Sequence, residues 1–212
     1  MKKGLAVLGD YWHKGPVYRK FLEGVFPSAG IDPVFVIDPS GIPWERLDDF
    51  DIFILSKEAR TEPLVSDNIW YNEENERQFE SYVHNGGSLF VLHSGLASYP
   101  RKSLFGKVMR GGFLFHPEEH PLYEVLPAVG APDDLNGIRL SVRDELYFVH
   151  VDSKRSDILL ESTSPDYGTF PAAWRHGYGS GKVFCFTPGH NEETLADQEY
   201  KRVIISGLEW LS

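Results

Sequence analysis

Residues 73–95 read EENERQFESYVHNGGSLFVLHSG, and this stretch decides the fold because a helix pattern runs directly into a strand pattern. Residues 73–84 predict a helix whose acidic first turn suits the positive end of the helix dipole. The glycine pair at 86–87 ends that helix. Residues 88–92 form a mainly apolar run, typical of a strand buried on both faces, and a tight turn at 93–95 follows. The stretch therefore predicts one helix–strand unit of an α/β sheet.

The rest of the first half repeats this alternation. Short apolar runs at 5–8, 34–37 and 52–55 predict three further strands, and residues 18–25 predict a helix. Strands that alternate with helices indicate a parallel sheet. In the second half, closely spaced strands follow, and some of them are interpreted as antiparallel hairpins added to that sheet, before a helix at about 195–210. These strands are predicted at 137–140, 146–151, 157–161, 172–175 and 182–187. We therefore expect one α/β domain over residues 1–212.

Composition excludes several classes of function. The chain has 212 residues and 42% apolar residues, as an ordinary globular protein has. Its net charge of −10 repels nucleic-acid backbones and anionic membranes, so neither partner is expected. No run approaches the roughly 20 apolar residues of a membrane span, and a lone cysteine, Cys185, excludes an internal disulfide. We expect a cytoplasmic protein. Without a G-x-G-x-x-G or Walker motif, we expect no nucleotide cofactor.

Histidines follow three of the predicted strands. Ligands of open α/β sheets bind beyond the carboxyl ends of the strands, and His13, His93 and His190 each come just after such an end. Loop-like stretches add His116 and His120, and Asp144-Glu145 opens another predicted strand. Imidazoles and carboxylates perform acid–base chemistry near neutral pH and bind zinc-type metals. A single loop histidine is usually only solvated, but three at one edge of a sheet favour a functional site.

For two potential nucleophiles and two aromatic residues, a functional role is weighed against an ordinary structural one. Ser94 lies at a strand-to-turn junction, as a hydrolase nucleophile would, but G-x-S-x-G fails because Leu92 replaces the first glycine. Cys185 is flanked by phenylalanines in a strand and is interpreted as a buried apolar residue. Trp12 and Tyr147 lie near the polar clusters in sequence, where rings stack on sugars, although most aromatic side chains belong to the core.

Short motifs occur in order along nearly the whole chain. They are LGDYWH at 8–13, GGSL at 86–89, HSG at 93–95, HP at 116–117 and 120–121, DELY at 144–147, PAAWR at 171–175, YGSGKVF at 178–184, TPGH at 187–190 and GLEW at 207–210. No single motif is decisive, but the ordered set resembles the ThuA (trehalose utilisation) family.

The resemblance implies a fold similar to that of class I glutamine amidotransferases: a flavodoxin-like three-layer α/β sandwich with a mostly parallel central sheet, here with antiparallel strands appended. Those enzymes carry Gly-x-Cys-x-Gly after the central strand, and here His93 stands where the cysteine would be, while Gly95 matches the last glycine. Their His-x-Glu pair is matched by His190-Asn191-Glu192. Without a thiolate nucleophile, glutaminase activity is not expected.

The resemblance also implies a role in carbohydrate utilisation, on trehalose-like disaccharides or their 3-keto derivatives. Acid–base or metal-assisted sugar chemistry would use His93 and His190 as the catalytic pair, with Glu192 orienting His190. A divalent metal would be held by histidines: His13, His93, His116 and His190. The sugar is expected to contact Trp12, His13, Ser94, His116, Glu145 and Tyr147.

Two other functions stay open at this point. The missing cysteine also suits a non-catalytic sugar-binding or regulatory module on an amidotransferase-like scaffold. A hydrolase that uses Ser94 is the third hypothesis. For the sugar-modifying enzyme and for the sugar-binding module alike, the expected partner is a small carbohydrate. The exposed edges of the appended hairpins also favour a homo-oligomer.

Overall fold

A nine-stranded sheet forms the centre of the molecule. The computed structural model describes residues 1–212. The whole chain has eleven strands: β1 (Lys2–Leu8), β2 (Ile31–Val36), β3 (Ile52–Ser56), β4 (Ser88–Leu92), β5 (Gly111–Phe115), β6 (Leu122–Pro127), β7 (Leu140–Arg143), β8 (Phe148–Val151), β9 (Asp157–Ser164), β10 (Gly168–Tyr178) and β11 (Gly181–Phe186). Its α-helices are α1 (Gly15–Val25), α2 (Glu73–His84), α3 (Leu104–Met109), α4 (Glu192–Ala196) and α5 (Gln198–Leu211). None of the helices has the length and apolar character needed to cross a membrane.

The strand order in the large sheet is β2-β1-β3-β4-β11-β10-β9-β6-β7. The first five strands in this order pair in parallel, and each later pairing is antiparallel. β5 and β8 form a separate antiparallel pair. The predicted α/β fold is confirmed, with a large sheet that is mixed rather than mostly parallel. The reason lies in the second half, where short turns such as the one between β10 and β11 allow only antiparallel pairing.

The helix α2 forms where the sequence predicts it, because both of its ends carry specific signals. Asn72 Oδ1 accepts the Asn75 N–H at 3.0 Å, while the Asn75 side chain accepts the Asn72 N–H at 3.1 Å. After the helix, Gly86 has a φ of 125°, a conformation that favours glycine. A Cβ at Gly87 would lie 2.3 Å from the ring of Tyr82, so no larger residue fits there.

The central strands are apolar throughout because both faces of the sheet are buried. In β4, Leu89 and Val91 join the hydrophobic cluster of α2 and α3, whereas Phe90 and Leu92 join the cluster of α1 and α5. All four side chains are fully buried. Each stabilises the fold by about 1.5–3 kcal/mol, so the end of β4, and with it His93, is held firmly in place.

Several elements differ from the sequence prediction. The patterns do not predict β5, β6 or α3, and α1 begins earlier than residue 18 because Pro16 suits a first helical turn. The helix predicted at 195–210 is divided at Asp197. Its Oδ1 accepts the N–H groups of Glu199 at 2.7 Å and Tyr200 at 3.2 Å, and it therefore caps α5 as a separate helix.

Candidate metal centre

Three histidines meet at the carboxyl edge of the parallel strands. β1, β4 and β11 run in one direction, so the segments after them leave the sheet at the same edge. His13, His93 and His190 lie on these segments, and Glu145 reaches them from the loop between β7 and β8. One nitrogen or oxygen atom from each of the four side chains lies within 4.8 Å of the other three. We call these four residues the inner cluster.

Distances within the inner cluster fit the ligands of one ion. His13 Nε2 is 3.0 Å from His93 Nε2 and 3.0 Å from His190 Nδ1. Glu145 Oε2 is 3.3 Å from His93 Nε2, and Oε1 is 3.2 Å from His190 Nδ1. Two atoms that each lie about 2.1 Å from one ion are about 3.0 Å apart at a right angle and about 3.4 Å apart at the tetrahedral angle. Three imidazoles and a carboxylate are a donor set that suits zinc and similar divalent metals.

Hydrogen bonds fix the tautomers of two of these imidazoles. His13 Nδ1–H donates to Asp10 Oδ1 at 2.7 Å, and His93 Nδ1–H donates to the Thr187 carbonyl oxygen at 2.7 Å. Each neutral ring therefore carries a lone pair on Nε2, and the two lone pairs face each other. Burial, aided by the neighbouring imidazoles, lowers the pKa of His13 despite Asp10 and so favours its neutral form. This is how proteins orient histidine ligands around a metal.

The backbone of His93 adopts an uncommon conformation. It has a φ of 43°, and its side chain is fully buried at the turn after β4. Such left-handed residues cost about 1–3 kcal/mol and cluster at functional sites. A Cβ at Gly95 would lie 2.2 Å from the Leu55 carbonyl oxygen, so only glycine fits this tight turn. The ring of Tyr147 stacks on that of His93 with centroids 4.3 Å apart.

Asp10 holds the loop that carries His13. Its Oδ1 accepts the N–H groups of Trp12 and His13, each at 3.0 Å, and its Oδ2 accepts the Glu58 N–H at 3.0 Å. Burial alone would raise the pKa of Asp10, but the hydrogen bonds from His13 and Glu58 outweigh burial and lower the pKa to about 2. Asp10 therefore stays charged at neutral pH and positions His13 through both the side chain and the backbone.

Asp144, like Asp10, holds loops that carry residues of the inner cluster, here those of Glu145 and His190. It is fully buried and accepts the N–H groups of Glu145 at 2.8 Å, Gly189 at 2.9 Å and His190 at 3.2 Å. One carboxylate thus ties the loop of Glu145 to the loop of His190. Sequence reasoning assigned no role to Asp10 and named Asp144 only among the polar residues near the predicted site. The available signal was position: one precedes a site histidine by three residues, and the other directly precedes Glu145.

Glu145 stands between the inner cluster and two outer histidines. Its Oε1 lies 3.5 Å from His116 Nε2 and 3.8 Å from His120 Nε2. Burial alone would raise the pKa of Glu145, but the neighbouring imidazoles of His190 and His93 outweigh burial and lower this pKa. Burial alone would lower the pKa of His190, but the Glu145 carboxylate outweighs burial, and the pKa of His190 is raised. Of the four histidines proposed as ligands, His116 lies outside the inner cluster, and Glu145 completes the group.

The remaining predicted site residues lie in varied surroundings. Ser94 is buried, and its hydroxyl has no hydrogen-bond partner. Trp12 is half exposed beside the site, whereas Tyr147 is buried and packs on His93 rather than facing solvent. No hydrogen bond or ion pair joins Glu192 to His190. Asn191 caps α4, which places Glu192 in an exposed first helical turn, and the carboxylate beside His190 is that of Glu145.

The fold and the inner cluster define an α/β protein with a histidine–carboxylate centre at the carboxyl edge of its parallel strands. Residues 20–211 match the family model of ThuA, described as trehalose utilisation. The chain belongs to the ThuA family. No curated protein sequence matches it significantly.

Solved structures share the fold. A protein from Parabacteroides merdae described as ThuA-like is 18% identical, with a TM-score of 0.78 over 99% of this chain and 89% of the other. A cytoplasmic protein from Salmonella typhimurium LT2 is 16% identical, with a TM-score of 0.72 over 99% of each chain. A β-galactosidase from Rahnella sp. R3 is 12% identical, with a TM-score of 0.62 over 100% of this chain but 31% of the enzyme. At these identities the likeness concerns the fold alone.

Proposed function

We propose that the chain is a metal-dependent enzyme of carbohydrate utilisation, acting on a trehalose-like disaccharide or its keto derivative. The observation that carries the proposal is the convergence of His13, His93, Glu145 and His190, with ligand atoms spaced as around one ion. When bound, a divalent ion polarises a carbonyl or hydroxyl oxygen of the substrate. The acidic surface favours a neutral sugar over a phosphorylated one. The Salmonella neighbour is described as cytoplasmic, and we extend that location to this chain.

The individual histidines would have different tasks. His93 is fully buried and its Nδ1 is engaged by Thr187, which suits a fixed ligand rather than an acid or base that reaches the sugar. His116 and His120 have side chains 31% and 35% exposed. These two imidazoles lie at the solvent side of Glu145, where a substrate in the opening can reach them. This division departs from a catalytic pair of His93 and His190.

The rim of the site offers aromatic surface for a sugar ring. Tyr11 and Trp12 are 57% and 50% exposed, and their rings meet edge to face with centroids 4.8 Å apart. Both lie within two residues of His13, which belongs to the inner cluster. Exposed aromatic faces beside polar groups suit the apolar face of a sugar. We assign sugar stacking to this pair and not to Tyr147, which is buried.

The scaffold supports the absence of glutaminase activity. The parallel order β2-β1-β3-β4-β11, with helices on both faces, supports a flavodoxin-like arrangement. His93 occupies the turn where an amidotransferase has its nucleophile. Cys185 is the next-to-last residue of β11 and is fully buried, and burial raises the pKa of its thiol. It is therefore in no position to replace the missing nucleophile.

The test combines metal loading with turnover. The protein is stripped with a chelator, reloaded with Zn²⁺, Mn²⁺ or Co²⁺, and incubated with trehalose and 3-keto-trehalose, with products followed by mass spectrometry. We expect turnover only with metal, its loss in His93→Ala and its retention in the matched control His84→Ala, an exposed histidine of α2. Disaccharide binding without turnover would instead indicate a non-catalytic sugar-binding module. Failure to retain any metal would refute the metal centre.

A further inference from the structure

A second group of potential ligand atoms lies on the outer side of Glu145. Its Oε2 lies 3.3 Å from His93 Nε2 in the inner cluster. Its Oε1 lies 3.2 Å from Nδ1 of His190, also in the inner cluster, and on its outer side 3.5 and 3.8 Å from Nε2 of His116 and His120. The outer imidazoles are about one third exposed, so this group is accessible from solvent. Glu145 thus stands between a buried set of imidazoles and a set at the surface.

The tautomer of His116 indicates that a cation belongs between it and Glu145. Its Nδ1–H donates to the Pro117 carbonyl oxygen at 2.6 Å, so the neutral ring carries a lone pair on Nε2. That lone pair faces an anionic oxygen at 3.5 Å, far beyond the roughly 2.7–2.9 Å of a charge-assisted hydrogen bond. Two ligand atoms of one tetrahedral ion, by contrast, are about 3.4 Å apart. The separations of 3.5 and 3.8 Å therefore match the ligands of an ion better than they match a hydrogen bond.

We propose that Glu145, His116 and His120 hold a second divalent ion, and that the two ions share the carboxylate of Glu145, whose Oε1 faces imidazoles of both groups. This inference rests on the metal centre proposed above, because Glu145 serves both ions. Two imidazoles and one carboxylate leave coordination positions open. Ions joined in this way lie about 3.5–4 Å apart and clamp two oxygen atoms of one substrate. Adjacent carbonyl and hydroxyl oxygens of a keto-sugar are the pair that such a centre fits.

The number of bound ions tests this proposal directly. The stripped full-length protein is titrated with Mn²⁺, bound metal is measured by elemental analysis after gel filtration, and electron paramagnetic resonance reports whether the ions are magnetically coupled. The double variant His116→Ala/His120→Ala removes the outer ligands, and His84→Ala serves as control. Both outer histidines are partly exposed, so the double variant is expected to fold, which circular dichroism checks.

Two ions per chain with an exchange-coupled signal are expected in the unmodified protein and in His84→Ala. The double variant is expected to bind one ion with an uncoupled signal. A single uncoupled ion in the unmodified protein overturns the second site while leaving the inner one intact. Two ions in the double variant also overturn it, because the second would then lie elsewhere. No bound ion at all would refute the proposed function itself, so the two failures are distinguishable.

Discussion

The substitution Asp144→Asn removes one carboxylate oxygen from a fully buried position and leaves the size of the side chain unchanged. In the structure, Oδ2 accepts the N–H groups of Gly189 and His190, and Oδ1 accepts that of Glu145. Asparagine keeps one acceptor oxygen, and its amide N–H₂ would point at backbone N–H groups. At least one buried N–H therefore loses its partner.

The size of the effect follows from these contacts. A hydrogen bond to a charged group contributes about 1.5–3 kcal/mol, and an unsatisfied buried donor adds a desolvation cost. We expect the free energy of unfolding to fall by about 2–4 kcal/mol. Because Asp144 positions the backbone of Glu145 and His190, metal affinity should fall by about 10–100-fold, as for other residues that orient metal ligands.

Urea unfolding and a metal competition titration measure the two effects separately. The matched control is Asp32→Asn, an exposed aspartate of β2, which should change the free energy of unfolding by less than about 0.5 kcal/mol. If the free energy of unfolding of Asp144→Asn lies within about 0.5 kcal/mol of that of the unmodified protein, the stabilising role assigned to Asp144 is wrong. Reduced stability with unchanged metal affinity would refute only its positioning of the ligands.

Three further predictions concern other parts of the fold. Asp10→Asn should weaken metal binding by about 10–100-fold in a chelator competition assay, because it removes the carboxylate that fixes a ligand tautomer. Burial lowers the pKa of His176 from 6.5 to about 4, so the unfolded chain binds the extra proton between these values and stability falls as the pH drops through them. The loss amounts to about 3 kcal/mol, and urea unfolding at pH 7 and pH 4 should show a smaller difference in His176→Gln. Gly95→Ala should lower the melting temperature strongly, since its Cβ would lie 2.2 Å from a backbone oxygen of β3, whereas Gly24→Ala meets nothing within 4 Å and should stabilise helix α1 by up to about 1 kcal/mol. Equal melting temperatures for the two alanine variants would contradict this.

The histidine edge could be predicted because it depends on a simple rule. Parallel strands end at the same edge of a sheet, so residues that follow β1, β4 and β11 lie along one edge, and they can meet because these strands are close in strand order. The apolar runs that identify those strands are the strongest signal in the sequence. The grouping of His13, His93 and His190 could therefore be predicted without any knowledge of side-chain packing.

The partners of those histidines could not be predicted in the same way. Glu145 comes from a loop between two antiparallel strands, and its approach depends on how β7 and β8 pack, which no short-range pattern records. The choice of Glu192 followed a sequence motif, but the cap at Asn191 turns that side chain outward. For Tyr147 the sequence left sugar stacking and a place in the core both open, and in the structure its ring is buried and stacks on that of His93.

The contact between His13 and His190 also has a consequence for folding. These residues are 177 positions apart, and the carboxylate beside them comes from a third region of the chain. Contacts between residues so far apart in sequence form late and slowly, because the entropic cost of closing the loop comes before the favourable free energy of packing. A growing polypeptide therefore holds the histidines of β1 and β4 long before it can complete the cluster. Capture of a metal by the full set of ligands would mark the end of folding, and its rate would report the assembly of the whole sheet.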